Sequence, residues 1–104
     1  MESGRRFGRI TIDEMRMKAT LDDKDLGLSR YELGILRVFI EQPGRVFNRD
    51  QLMDAVWDEP EAAADRTVDA HIKTLRSKFR QFDSDFDPIV THRGLGYSLK
   101  EDIA

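Results

Sequence analysis

The sequence of 104 residues contains no cysteine. This absence excludes disulfide bonds and metal sites built on thiolates, and it is common among proteins of reducing compartments. No apolar run approaches the roughly 18 residues that a membrane-spanning helix needs. The first residues, MESGRR, lack the apolar segment that follows the basic pair in a secretory signal. We therefore expect a cytoplasmic protein with no membrane partner.

Positive charge is concentrated in one segment of an acidic chain. The chain has a formal net charge of −3. The segment DRTVDAHIKTLRSKFR, residues 65–80, holds five basic residues against two acidic ones, a net charge of +3, so the rest of the chain carries −6. Because a charged partner responds to the local potential rather than to the average charge, this segment is a candidate binding surface.

The first quarter of the chain predicts a small antiparallel sheet. A chain of this length is expected to form one domain with one small core. Between Phe7 and Leu28 apolar and polar residues alternate, which is typical of half-buried strands. The alternation includes Met15, Met17, Ala19 and Leu21 on the apolar side.

Two capped helices are predicted to follow the sheet. Ser29 and Glu32 have the spacing of a capping box, in which each side chain bonds the backbone amide of the other residue. Asn48 and Gln51 repeat this spacing, and the second helix is expected to end near Trp57.

A third helix is predicted over residues 65–82, capped by Asp65 or Thr67. Its core-facing positions recur at helical spacing and are Val68, Ile72, Leu75, Phe79 and Phe82. The opposite face carries Arg66, Ala70, Lys73, Thr74 and Ser77, with Arg76 and Arg80 on one flank and His71 and Lys78 on the other. This outward face has few in-helix partners for its cations.

The C-terminal segment PIVTHRGLGYSLK, residues 88–100, predicts a hairpin with a glycine-containing turn and Arg93 at its tip. Two helices, a longer amphipathic helix and a basic hairpin occur in this order in a winged helix, a variant of the helix-turn-helix. The predicted fold class is therefore α+β, a winged helix with an N-terminal antiparallel sheet, three helices and a C-terminal β-hairpin wing.

The outward face of the third helix has the composition of a DNA-reading surface. Ala70 and Thr74 are small enough for the helix to enter a major groove and contact thymine methyl groups, and flanking cations would meet phosphates. The hairpin would bring Arg93 to a neighbouring minor groove. The alternative is a winged-helix protein-interaction module without specific DNA binding, which the acidic loops favour. That alternative predicts that Ala70, Lys73 and Thr74 can be substituted without loss of function.

The sequence contains no motif of an enzyme active site. G-x-S-x-G, H-E-x-x-H and the phosphate-binding P-loop are all absent. His71 and His92 have no third ligand at suitable spacing for a metal. We expect neither catalysis, nor a metal, nor a cofactor.

Three long stretches resemble the DNA-binding effector domain of OmpR/PhoB-type response regulators. They are LSRYELGILRVFIEQPGRVFNRDQLMDAVW, DRTVDAHIKTLRSKF and THRGLGYSL, and the resemblance covers about residues 7–100. Within the family, DRTVDAHIKTLR and THRGLGYSL look nearest to the CreB-like branch. The resemblance implies a four-stranded N-terminal sheet and sequence-specific binding of double-stranded DNA by a two-component transcriptional regulator. Helix 65–82 would enter the major groove, and the wing 88–100 would lie at the minor groove.

The resemblance also implies the residues that contact DNA. Arg49 and Trp57 would meet phosphates from the second helix, while Arg66, Thr67, His71, Lys73 and Arg76 would hold phosphates or flank bases along the third. Ala70 and Thr74 occupy base-facing positions, and Thr91, Arg93 and Tyr97 are wing contacts. Many members carry Arg where this chain has Thr74, so a thymine-methyl or water-mediated contact is expected there. Trp57 as a core or hinge residue and His71 as a solvated histidine remain alternatives.

Further expectations concern the whole regulator. Residues 1–6 would be a linker remnant, 7–100 the winged-helix domain and 101–104 a tail, in a domain excised from a regulator that also has a receiver domain; a naturally standalone protein is the alternative. The implied partners are tandem DNA half-sites, RNA polymerase through loop 58–64, the receiver domain and a sensor histidine kinase. The free domain would be a monomer that forms a head-to-tail pair on DNA.

Overall fold

The computed structural model describes residues 4–58 and 65–102, without the side chains of residues 65–67. Its strands are β1 (Gly4–Phe7), β2 (Ile10–Asp13), β3 (Lys18–Leu21), β4 (Lys24–Asp25), β5 (Ile89–His92) and β6 (Gly96–Leu99), and its helices are α1 (Arg30–Glu41), α2 (Arg49–Val56) and α3 (Asp65–Phe82). Strands β1 to β4 form one antiparallel sheet and β5 and β6 form a separate hairpin. This architecture confirms the predicted winged helix.

The N-terminal sheet differs from its prediction at two places. Strand β1 begins at Gly4 rather than at Phe7, because Gly4 pairs with Asp13 of β2. The sequence GRRF has no apolar alternation that could have revealed this. Met15 and Met17 were predicted on a half-buried strand, which is wrong, since they lie in the turn between β2 and β3 with 81% and 58% of their surfaces exposed. The backbone amide of Arg16 donates to Asp13 Oδ1 within this turn.

Both predicted capping boxes are confirmed. Ser29 Oγ accepts from the Glu32 amide at 3.3 Å, and Glu32 Oε1 accepts from the Ser29 amide at 2.7 Å. Asn48 and Gln51 form the equivalent pair of bonds at 2.8 and 2.9 Å. Helix α2 ends at Val56 with Trp57 as its C-cap. The side chains of Asp65 and Thr67, the predicted caps of α3, lie outside the described residues.

Helix α3 crosses the core with one apolar face. Val68, Ile72, Leu75 and Phe79 are buried as predicted, but Phe82 is 41% exposed. Phe82 is the last residue of α3 and stands at the edge of the apolar stripe. Phe86, in the loop that follows, is buried instead, and its ring meets Phe79 edge-on at 5.4 Å.

The second strand of the wing is bonded to the segment just ahead of α2. The backbone amide and carbonyl of Tyr97 exchange hydrogen bonds with Phe47 at 2.9 and 2.8 Å. Phe47 lies just ahead of α2, so the wing and the start of α2 are held at the same place. Among the described residues, no helix has the length and apolar character to cross a membrane.

Candidate nucleic-acid interface

The outward face of α3 is open and carries small side chains. Ala70, Lys73, Thr74 and Ser77 are all exposed. The Thr74 hydroxyl donates to the Ala70 carbonyl at 2.9 Å, so it is turned along the helix. Lys73 forms no ion pair with any described residue. A shallow surface with an available ammonium group therefore faces solvent along the middle of α3.

Two other elements carry exposed cations. Arg49 is the first residue of α2 and is exposed. Arg93 is exposed at the tip of the wing and has no ion-pair partner within the described ranges. Thr91, also exposed, lies on the preceding strand β5. The predicted contacts of α2, α3 and the wing thus come from three neighbouring elements.

One carboxylate joins these three elements. Asp69 Oδ1, on α3, accepts from Arg49 Nε at 2.9 Å and from the Tyr97 hydroxyl at 2.5 Å. The hydrogen bond from Arg49 lowers the pKa of Asp69 below its ordinary value. Burial, followed by the bond to Asp69, raises the pKa of Tyr97. At neutral pH Asp69 is therefore ionised and the Tyr97 phenol is protonated and donates.

Arg76 is half-buried between α3 and the wing. Its Nη2 donates to the Ile89 carbonyl at 2.9 Å and to Thr91 Oγ1 at 2.7 Å, and its Nε lies 3.8 Å from Asp87. Its guanidinium also stands 5.9 Å from the centre of the Tyr97 ring. Only 21% of its side-chain surface is exposed. Arg76 therefore anchors the wing, which its place on the helix had not indicated.

Trp57 and His71 meet in a half-buried aromatic cluster. The Trp57 ring stacks on Tyr31 with centroids 4.5 Å apart and planes 6° apart. His71 lies 5.5 Å from Trp57 and 5.6 Å from Tyr31. The cluster connects α1, the end of α2 and α3. Tyr31 was not singled out from the sequence, since its partners lie 26 and 40 positions away.

Lys78 bonds other groups of the domain and is not available on the outward face of α3. Its Nζ donates to Glu32 Oε1 at 2.6 Å and to the Gly27 carbonyl at 2.8 Å. The other histidine, His92, bonds Ser98 within the wing through Nε2 at 2.7 Å. The described residues contain no group of three or more histidine and acidic side chains suited to a metal ion. The side chains of Arg66 and Thr67 lie outside the described residues.

Sequence reasoning missed Asp69, which it counted only as a charge. The one available signal was its position, an acidic residue beside Ala70 in the middle of a helix with a net charge of +3 over residues 65–80. Its partners are 20 and 28 residues away along the chain. No local pattern predicts such bonds.

Comparison with known proteins adds a family match. The family described as "Transcriptional regulatory protein, C terminal" matches residues 23–99. Transcriptional regulatory protein CreB of Escherichia coli strain K12 is 47% identical over 95 residues, which cover 91% of this chain and 42% of CreB. The chain thus spans about two fifths of the length of the curated relatives that it matches.

Two solved structures have the same fold. The DNA-binding domain of response regulator AdeR, in complex with an intercistronic region, is 31% identical with a TM-score of 0.82, and the match covers 94% of this chain and 100% of that domain. The DNA-binding domain of Klebsiella pneumoniae RstA, in complex with the RstA box, is 26% identical with a TM-score of 0.77, and the match covers 97% of this chain and 100% of that domain.

Proposed function

The chain belongs to the C-terminal DNA-binding domains of the OmpR/PhoB family of response regulators, and from this membership we propose that it binds double-stranded DNA sequence-specifically. Helix α3 would enter the major groove, and the wing, residues 88–100, would lie at the minor groove. The family consists of DNA-binding domains of transcription factors, so the prediction that the chain is not an enzyme is confirmed by its membership.

The outward face of α3 is the observation that carries this proposal. Ala70 and Thr74 are exposed beside Lys73, which no described residue neutralises. A helix with small side chains on its outer face can approach base edges closely, and an unpaired ammonium gains the most from a phosphate. The AdeR and RstA domains, whose structures include DNA, support the proposal because this chain shares their fold.

The individual contacts are proposed in three groups. We assign phosphate contacts to Arg49, Trp57, Arg66, Thr67, His71, Lys73 and Arg76, base-facing positions to Ala70 and Thr74, and wing contacts to Thr91, Arg93 and Tyr97. Arg76 would combine its phosphate contact with its anchoring of β5, since part of its side chain remains exposed. Arg93, at the exposed tip of the wing, is the residue proposed to enter the minor groove, where Arg responds to groove width.

The proposal extends to the partners of a whole regulator. We propose tandem half-sites bound by a head-to-tail pair, a receiver domain with its sensor histidine kinase, and a contact between RNA polymerase and loop 58–64. Of that loop the structure describes Asp58, whose carboxylate accepts from Arg30 at 2.8 Å. Residues 59–64 lie outside the described part of the chain.

Selection from a randomised duplex pool tests the proposed function. We expect wild-type protein to enrich a repeated sequence at moderate salt. The logarithm of its affinity for that sequence should fall steeply against the logarithm of salt concentration, since cations displace counterions from each phosphate they meet. If no sequence is enriched and affinity does not depend on salt, the proposal is wrong, and the face of α3 serves a protein partner.

A further inference from the structure

The carboxylate of Asp69 lies on α3 beside the face proposed to bind DNA, where positive charge is expected. Asp69 adjoins the exposed Ala70 on α3, and 39% of its side-chain surface is exposed. An uncompensated negative charge near a phosphate backbone opposes binding. Electrostatics alone therefore predicts that DNA would bind more tightly without Asp69.

The contacts of Asp69 give this carboxylate a different role. A single oxygen, Oδ1, accepts from both Arg49 Nε and the Tyr97 hydroxyl. Arg49 comes from the first turn of α2, and Tyr97 from strand β6 of the wing. Both donors belong to the residues proposed above to contact DNA. Charge-assisted hydrogen bonds of this kind fix the direction of a side chain as well as stabilising it.

The bond between Tyr97 and Asp69 restricts the position of the wing, because Tyr97 is also held at its backbone. Tyr97 is 8% exposed, and its backbone is bonded to Phe47 just ahead of α2. Its hydroxyl reaches α3, so one residue is held at both ends by different elements. Arg49 is 47% exposed at its side chain, and its bond to Asp69 Oδ1 restricts its rotamers. Ordering it before DNA arrives removes part of the entropy cost of binding.

We propose that Asp69 is a positioning residue, which orients the guanidinium of Arg49 for the phosphate backbone, holds Tyr97 of the wing against α3, and does not itself contact DNA. This inference rests on the proposed function, because its benefit appears only when DNA binds. It predicts that removing a negative charge from this surface weakens specific binding. This change in DNA affinity is opposite in sign to the one that charge repulsion alone predicts.

The test compares Asp69→Ala with Asp50→Ala, both in the chain described here. Asp50 is exposed in the first turn of α2, next to Arg49, so its removal changes the net charge equally nearby. Affinities are measured for the duplex recovered from the pool and for an unrelated duplex of equal length. We expect Asp69→Ala to weaken binding of the recovered duplex about 10-fold, as loss of an oriented charged hydrogen bond does, and Asp50→Ala to leave it unchanged or tighter. If Asp69→Ala tightens both duplexes as Asp50→Ala does, the inference is wrong.

Tyr97→Phe adds a second measurement that keeps the fold of the wing. The variant removes the hydroxyl and keeps the ring, so the loss in Asp69→Ala/Tyr97→Phe should be smaller than the product of the single losses. Multiplicative losses would show that Asp69 does not act through Tyr97. Thermal unfolding of each variant establishes that it is folded under the binding conditions.

NMR without DNA separates this inference from the proposed function. Asp69→Ala should shift the Arg49 Nε–H and Tyr97 ring signals and broaden or average them. Unchanged signals would overturn the positioning role whatever the protein binds. Failure of wild-type protein to enrich any duplex would instead overturn the proposed function, and with it the benefit to DNA binding.

Discussion

Gly96 holds a position in the wing that other residues cannot occupy. Its φ is +139°, and a Cβ built there would stand 2.0 Å from the Phe47 carbonyl oxygen and 2.8 Å from Asn48 Cα. These are backbone atoms, which cannot rotate away as a side-chain end can. The contact lies at the bridge between Tyr97 and Phe47 that attaches the wing.

Gly96→Ala is therefore expected to displace the wing. The free energy of unfolding should fall by more than the roughly 1–3 kcal/mol that an unfavourable φ alone costs, because the bridge to Phe47 must also open. Urea unfolding measures the loss. Gly94→Ala is the matched control, since Gly94 has φ +72° but no atom within 4 Å of a built Cβ. Equal losses in the two variants would mean that the backbone contact at Gly96 has no energetic consequence.

At the scale of elements, α1 and α3 are joined by a buried ion pair. Glu32 is 1% exposed, and its Oε1 accepts from Lys78 Nζ as well as from the Ser29 amide. Burial alone would raise the pKa of Glu32, but the hydrogen bonds from Lys78 and Ser29 outweigh it, and the pKa is lowered. The same carboxylate thus caps α1 and links it to α3.

The lowered pKa gives this link a pH dependence. A carboxyl group with a lower pKa in the folded than in the unfolded state stabilises the fold above its unfolded pKa, here about 4.5, and this stabilisation is lost as the pH falls further. Glu32→Gln should lower the free energy of unfolding by about 1.5–3 kcal/mol at pH 7. The difference from wild type should shrink below about pH 4.5. Chemical unfolding at several pH values measures both.

Glu41→Gln is the control for this prediction. Glu41 lies on the same helix, but it is exposed and pairs with Arg5 at 3.4 Å on the surface. Exposed ion pairs contribute little to stability, so this variant should follow the wild-type curve. If Glu32→Gln also follows that curve, the ion pair with Lys78 does not couple α1 to α3.

How well these elements could be predicted depends on how far apart along the chain their bonded residues lie. The caps at Ser29 and Asn48 rest on bonds between residues three positions apart, so the sequence displays them directly. Strand β1 depends on pairing with β2, and its own residues carry no alternation, so its start was missed. The site divides in the same way. Exposure of Ala70 and Thr74 follows from helical periodicity, whereas the bonds of Asp69 and Arg76 depend on how α2 and the wing pack against α3.

At the scale of the whole molecule, the cations differ in whether a nearby carboxylate neutralises them. Lys73 and Arg93 have no ion-pair partner among the described residues, while several other cations are neutralised nearby. Arg9 bonds both Asp22 and Asp83, and these bonds raise its pKa. An acidic protein can in this way leave selected cations available to a polyanion. Repulsion elsewhere would limit attachment to DNA in wrong orientations.

This arrangement predicts that the position of a charge matters more than the net charge. Lys73→Ala and Arg16→Ala each change the net charge from −3 to −4. Arg16 lies in the turn between β2 and β3 with 78% of its side chain exposed, 3.7 Å from Asp13. Lys73→Ala should reduce the slope of log affinity against log salt by about 0.9, the contribution of one phosphate contact. Arg16→Ala should leave the slope unchanged.

Salt titrations with the selected duplex, by fluorescence anisotropy, measure both slopes. A positional effect requires the two variants to differ, because their net charges are equal and both side chains are exposed. Equal reductions would mean that DNA responds to the total charge of the domain. The phosphate backbone would then not lie preferentially at α3. A reduced slope for Lys73→Ala alone, with wild-type slope for Arg16→Ala, places phosphate at the face of α3 and leaves the N-terminal sheet away from DNA.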